Sequence, residues 1–248
     1  MPTQDSYRAI LQTLEDWDAY LMQESRLPGP RGNLELATIV AEEGDLERFS
    51  HFLTYDPCVA PTNSPGEFLF FCGVLGLGKF IAQGQLDLLP KLRSYASDPR
   101  WRTREAVAMA LQRWGKADMK SLLQEMETWS TGNWLEKRAA AAGLSEPGLL
   151  IDEHHNLHVL ETLDAITGSV AQAEDRKDEA YRVLRQALGY CWSVGVAAAP
   201  EAGKALMEKW MNSSDPDIRW IMKENLKKKR LIRLDAGWVQ IWQERLNA

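Results

Sequence analysis

The chain has 248 residues, 45 % of them hydrophobic and 26 % charged, and a formal net charge of -6. This is the composition of a globular protein, with room for one or two ordinary domains or one elongated array of repeats. The mean hydropathy is -0.35 and no apolar run reaches about 18 residues, so no membrane span is expected, and the net acidity argues against a general nucleic-acid binder.

Residues 1–18 are polar and acidic, without the basic start and apolar core of a secretory signal. Cys58, Cys72 and Cys191 are widely spaced and form no CxxC pair. A cytoplasmic protein without a disulfide framework is therefore expected. The charge is uneven: residues 1–96 hold seven Lys and Arg against thirteen Asp and Glu, and residues 97–248 hold 22 of each sign. A basic face can still form in the C-terminal part.

The first helix is predicted from Asp5 or Ser6, with Tyr7, Ile10, Leu11, Leu14, Trp17 and Leu21 as its apolar stripe. Two prolines and two glycines in residues 27–33 break the chain. A short helix over 34–43 should end at Gly44, and Asp45 should cap the next, over 46–55. Residues 56–67, with three prolines, read as an exposed loop. Residues 67–82 are apolar on every side, which places a helix inside a structure. The length of this segment and Lys79 within it argue against a membrane span, and Gly73, Gly76 and Gly78 suggest close helix packing.

Residues 86–111 read as two helices back to back. Leu86, Leu88, Leu89, Leu92 and Tyr95 form the first apolar set. Ser97-Asp98-Pro99 stops it and caps the second helix, with Pro99 just inside. Ala106, Val107, Ala110 and Leu111 line one side of that helix, which Gly115 should end. Further helices are expected over 117–129, 134–144, 152–171, 179–191, 204–211, 218–227 and 235–246. The ten tryptophans should mostly pack between helices.

The segments repeat. Trp101 placed over Trp134 superposes Ala106 on Ala139, Ala108 on Ala141 and Leu111 on Leu144. Arg104 placed over Arg219 superposes Leu111 on Leu226, and each helix follows a Ser-Asp-Pro turn. About six helix pairs plus a terminal helix account for the chain, and such pairs must stack to bury their apolar faces. The Leu-rich helix, Asp-containing turn, Arg and Ala-rich helix of residues 88–111 resemble a HEAT repeat, and residues 213–226 resemble a second copy. The resemblance implies an all-α, right-handed α-α superhelix over residues 1–248, its second helices lining a concave face. It also extends, distantly, to the bacterial HEAT-type alkylpurine DNA glycosylases.

Several constellations carry candidate chemistry. Arg219, Lys223 and Lys227 lie four apart within a basic stretch reaching Arg233. They can neutralise an anionic partner or complement the end of a helix dipole. Trp101 and Glu105 also lie four apart. The glycosylase resemblance implies that Trp101 would contact a nucleotide and Glu105 would stabilise the sugar cation, although the family uses Asp there. A stacked Trp and a solvated Glu are the plainer reading. His154, His158 and Glu161 share a helical face beside His155 and could approach a metal, or stay solvated. Gly73, Gly76, Gly78 and Lys79 lack the ending and preceding strand of a phosphate loop, no serine elbow is present, and Cys191 reads as buried.

The expected function is a non-catalytic binding or scaffold module without a cofactor. Its concave face would hold a protein or an anionic ligand through Trp101, Arg104, Lys137, Arg182, Arg185, Trp220, Lys223 and Lys227. Nucleic acid is the alternative partner on the same face. The core should contain Leu89, Leu92, Val107, Ala110, Leu111, Leu122, Leu123 and Leu144.

Overall fold

A computed structural model describes residues 3–247, which are all-α, with no strand among the described residues. The chain forms two compact units, Met1–Ala117 and Asp118–Ala248.

The first unit contains α1 (Gln4–Thr13), α2 (Asp18–Glu24), α3 (Leu34–Glu43), α4 (Leu46–Phe52), α5 (Pro65–Ala82), α6 (Leu89–Tyr95) and α7 (Trp101–Ala117). Local chemistry sets the helix starts. Asn33 accepts from the Leu36 amide, Asp45 from that of Arg48, and Ser64 from that of Glu67 ahead of Pro65. The expected single first helix is two. The chain turns extended at Leu14, and the Trp17 indole donates to the carbonyls of Leu11 and Leu14 across the break. Leu86, expected in the apolar set of the next helix, belongs to a 3-10 turn and stands 47 % exposed.

Helices α1, α3, α5 and α7 pack in succession, with α4 and α6 laid against α5. The centre is α5, long and apolar enough to cross a membrane yet 72 % buried within the unit. Lys79 is reconciled with that position by donating to the carbonyls of Glu42 and Gly44. A Cβ on Gly78 would stand 2.6 Å from Ala110 Cα, so this glycine lets the α5 and α7 backbones touch. A Cβ on Gly76 would collide with the Phe49 ring.

Two arginines from the start of α7 pin the loops that the sequence left open. Arg100, 1 % exposed, pairs twice with Asp98 and donates to the carbonyls of Tyr55 and Ala60. Arg102 pairs with buried Glu67 at 3.1 Å and donates to Gly29 O and Asn63 Oδ1. Residues 56–64 are therefore an exposed loop fastened from beneath. Pro99 precedes α7 rather than starting it, and α7 runs through Gly115 to Ala117.

The second unit contains α8 (Met119–Ser130), α9 (Trp134–Leu144), α10 (Glu153–Ala171), α11 (Glu179–Ala198), α12 (Pro200–Met211), α13 (Pro216–Leu226), α14 (Lys229–Leu234) and α15 (Ala236–Asn247). Its helices alternate between two layers: α8, α10 and α12 pack in one, α9, α11 and α13 in the other. Pairs α8–α9, α10–α11 and α12–α13 join the layers. Ala139, Ala141 and Leu144 are buried, as are Ala106, Ala108 and Leu111, with which the alignment matched them. Helix α11 extends seven residues past Cys191, and α14 forms where only a basic run was read. Trp129 and Trp192 are fully buried, whereas Trp134, Trp210, Trp220 and Trp238 are half-buried under lysine or arginine side chains. Tryptophan serves the layer edges here as much as the core.

Candidate functional site

In the second unit, α11 and α13 lie side by side and enclose a groove of about 570 Å³. Arg182, Gln186 and Tyr190 reach it from α11 at spacings of four, and Trp220, Glu224 and Lys228 from α13 and its end. Gly189 permits the approach, since a Cβ there would stand 3.2 Å from the Trp220 ring.

The charges in this groove differ in how far they are committed. Arg176 binds both Asp215 and Asp217, which holds the Asp215 carboxyl below its ordinary range. The Tyr181 hydroxyl donates to Asp217, and burial together with that carboxylate pushes it well above the ordinary phenol. The Arg185 guanidinium carbon lies over Trp220, 3.9 Å from the ring centroid. Its Nε is 2.7 Å from Asp217 Oδ1, an ion pair by distance, but the N–H is not aimed at the oxygen. Arg182 is exposed and its side chain has no hydrogen bond or ion pair among the described residues. Lys228 stands over Tyr190, 5.9 Å from the ring centroid, and Arg230 donates to the hydroxyl of this 45 % exposed ring. The groove thus offers two aromatic rings and three cations beyond the paired Arg176: Arg182 unbonded, Lys228 stacked, and Arg185 stacked and within ion-pair distance of Asp217.

Of the sequence-predicted contacts, Arg182, Arg185 and Trp220 converge here. Lys137 is on neighbouring α9, over the Trp134 ring, and burial lowers its ammonium pKa. Trp134 in turn meets Tyr181 edge-on. Lys223 and Lys227 do not line the groove. They stand one residue round from Trp220, Glu224 and Lys228, and Lys227 pairs with Glu224. Sequence reading missed Tyr190 and Lys228, although the four-residue steps from Arg182 and Trp220 carried the signal.

In the first unit, Trp101 and Glu105 do share a cavity. It measures about 250 Å³ and is lined by Leu34, Phe68, Phe71 and Met109 alongside Arg31, Gly32 and Arg102. Trp101 is 46 % exposed, and the Arg102 guanidinium lies 4.5 Å from its ring centroid. Arg104 does not join them. It is buried and donates to the carbonyls of Asp98 and Pro99, so it closes the turn instead of facing a partner.

His154, His158 and Glu161 do not assemble into a metal site. His158 lies 3.0 Å from Glu127 of α8, and no metal-holding group of His, Cys, Asp and Glu exists among the described residues. No protein-family model, no curated protein and no solved structure matches the chain.

Proposed function

We propose that this protein is a non-catalytic binding module of HEAT-like build that holds an acidic segment of a partner protein in the α11–α13 groove. The observation that carries this reading is the convergence of Arg182, Arg185 and Lys228 on Trp220 and Tyr190. Arginine and large aromatics on an accessible surface are the residue types that dominate protein–protein binding energy. Asp217 and Glu224 stand in the same groove. Paired with Arg176 and Lys227, they interrupt the continuous positive surface that a phosphate backbone needs, which favours a short acidic segment over nucleic acid. The alternating layers α8–α10–α12 and α9–α11–α13 support the superhelical reading, and a cytoplasmic setting belongs to the same proposal.

Fluorescence anisotropy with a labelled acidic peptide, across a salt series, tests it. Binding should weaken with salt and fall by about tenfold or more in Arg182→Glu/Lys228→Glu, a loss of about 1.4 kcal/mol. Absence of binding at low salt removes the reading. Tighter binding of a single-stranded oligonucleotide, lost in the same variant, replaces it with nucleic-acid binding.

A second reading, base excision from alkylated DNA, draws on Trp101 and Glu105 lining one cavity. Arg102 already covers one face of that tryptophan, which leaves less ring for a base. Release of alkylated base by the wild type, abolished in Glu105→Gln, is its test.

A further inference from the structure

The Trp101 cavity does not end at Met109. That side chain also lines a second cavity of about 320 Å³, with Thr38, Glu42, Leu75, Gln112, Arg113 and Lys116. The two adjoin along one trough. Its floor is α5 (Phe68, Phe71, Leu75), one wall is α3 (Leu34, Thr38, Glu42), and the other is α7, through Trp101, Glu105, Met109, Gln112 and Lys116. Those wall residues step by three and four, so each helix presents one face along the whole trough.

The ends of the trough differ in chemistry. At the Trp101 end the surface is chiefly leucine, phenylalanine, tryptophan and methionine, with Glu105 as its one carboxylate. Of its two arginines, Arg31 and Arg102, the second is consumed by Glu67, Gly29 and Asn63. At the other end Arg113 is half-buried, and desolvation depresses its guanidinium pKa. Its side chain has neither hydrogen bond nor ion pair among the described residues: Glu42 acts on it through charge alone, its carboxylate being bonded to Arg8. Lys116 stands one turn on. A guanidinium partly removed from water without a bonded anion is unfavourable, and an incoming anion relieves that. Glu105 and Arg113 are eight residues apart, which on a helix is about 12 Å.

We propose that this trough binds a single-chain amphiphilic anion of about that length, its apolar tail at Leu34, Phe68, Phe71 and Trp101 and its carboxylate at Arg113 and Lys116. The site is independent of the acidic-segment groove in the second unit. A cationic head is opposed by Arg113 and Lys116 at one end, and at the other the guanidinium already seated on Trp101 stands beside Glu105.

Isothermal titration calorimetry with decanoate, decanol and decyltrimethylammonium, which share a tail and differ in head charge, tests the assignment on the full chain. Decanoate should bind most tightly. Arg113→Gln should weaken decanoate by about tenfold while leaving decanol unchanged, since a charge-assisted contact is worth about 1.5–3 kcal/mol before screening. Met109→Trp, which fills the junction, should abolish decanoate binding with the melting temperature retained. The proposal is overturned if no compound binds, if the three bind alike, or if a folded Met109→Trp protein binds decanoate as the wild type does.

Discussion

The two units spend similar helices on opposite kinds of surface. The first concentrates its apolar residues in α5, which is buried all round and needs α3, α4, α6 and α7 as a jacket. Its arginines are drawn inward to hold loops, as Arg100 and Arg102 do. What remains open is an apolar trough. The second unit has no such helix. Its buried apolar residues are spread over all its helices, and Trp134, Trp210, Trp220 and Trp238 sit at the edges under cations. What remains open there is charged and aromatic. The placement of apolar residues along the chain decides which surface is left for binding.

The same tripeptide shows the contrast most sharply. Ser97-Asp98-Pro99 and Ser214-Asp215-Pro216 are identical in sequence, yet α13 starts at Pro216 whereas α7 starts two residues after Pro99. The extra residues bring Arg100 under the turn, where Asp98 is its carboxylate partner, with side chains 1 % and 5 % exposed. Asp98→Asn should therefore be the most damaging change considered, costing about 3–5 kcal/mol, because it leaves a buried guanidinium without its counter-charge. Urea unfolding followed by circular dichroism measures it. A loss below about 1 kcal/mol would mean that the Tyr55 and Ala60 carbonyls suffice for Arg100, and the inward-arginine account would fail.

Glycines give a smaller and equally direct comparison. Gly78→Ala pushes a methyl into the Ala110 backbone, which cannot turn aside, and should cost about 1–3 kcal/mol. Gly189→Ala meets the Trp220 ring and Glu224 Cβ at 3.2 Å. A ring can shift by tenths of an ångström, and alanine's better helix propensity, roughly 1 kcal/mol, offsets the crowding. Near-neutral stability with altered Trp220 fluorescence is expected. Equal losses at both positions would show that α11 and α13 are packed as rigidly as α5 and α7.

Much of this was legible in the residues. Periodicity, caps and Gly or Pro breaks placed α3, α9, α10 and α13 within a residue or two, because those signals are local. The buried set Val107, Ala110, Leu111, Leu122 and Leu144 followed from helical spacing. Misreadings arose where a tertiary contact overrode local preference. Trp17 turns back on Leu11 and splits the first helix, and Val194 and Val196 carry α11 onward because they are buried there. Arg104 looked like a surface cation because nothing local shows that its turn supplies two carbonyls. Arg182, Arg185 and Trp220 could be nominated from their second-helix positions. Lys223 and Lys227 stand beside them in that reading because charge is densest there, whereas Lys228, on the Trp220 register, faces the groove.

The last test concerns the other Ser-Asp-Pro turn. Asp215 accepts from the amides of Asp217 and Ile218 and is paired with Arg176, whose side chain is 33 % exposed. Partial exposure screens that pair, and Asp217 shares the same guanidinium. Asp215→Asn keeps the capping oxygen, so at neutral pH it should cost only about 1 kcal/mol. The effect also has a sign in pH. The Arg176 hydrogen bonds hold the folded-state Asp215 pKa below its ordinary value. Its contribution is thus present above about pH 4, the unfolded carboxylate value, and is lost as pH falls through the depressed folded value. Asparagine does not titrate, so the stability gap between wild type and variant should be open at pH 7 and close below about pH 4. A gap that persists unchanged into acid would assign the loss to geometry at the turn, and the electrostatic role of Arg176 in fastening α13 would be withdrawn.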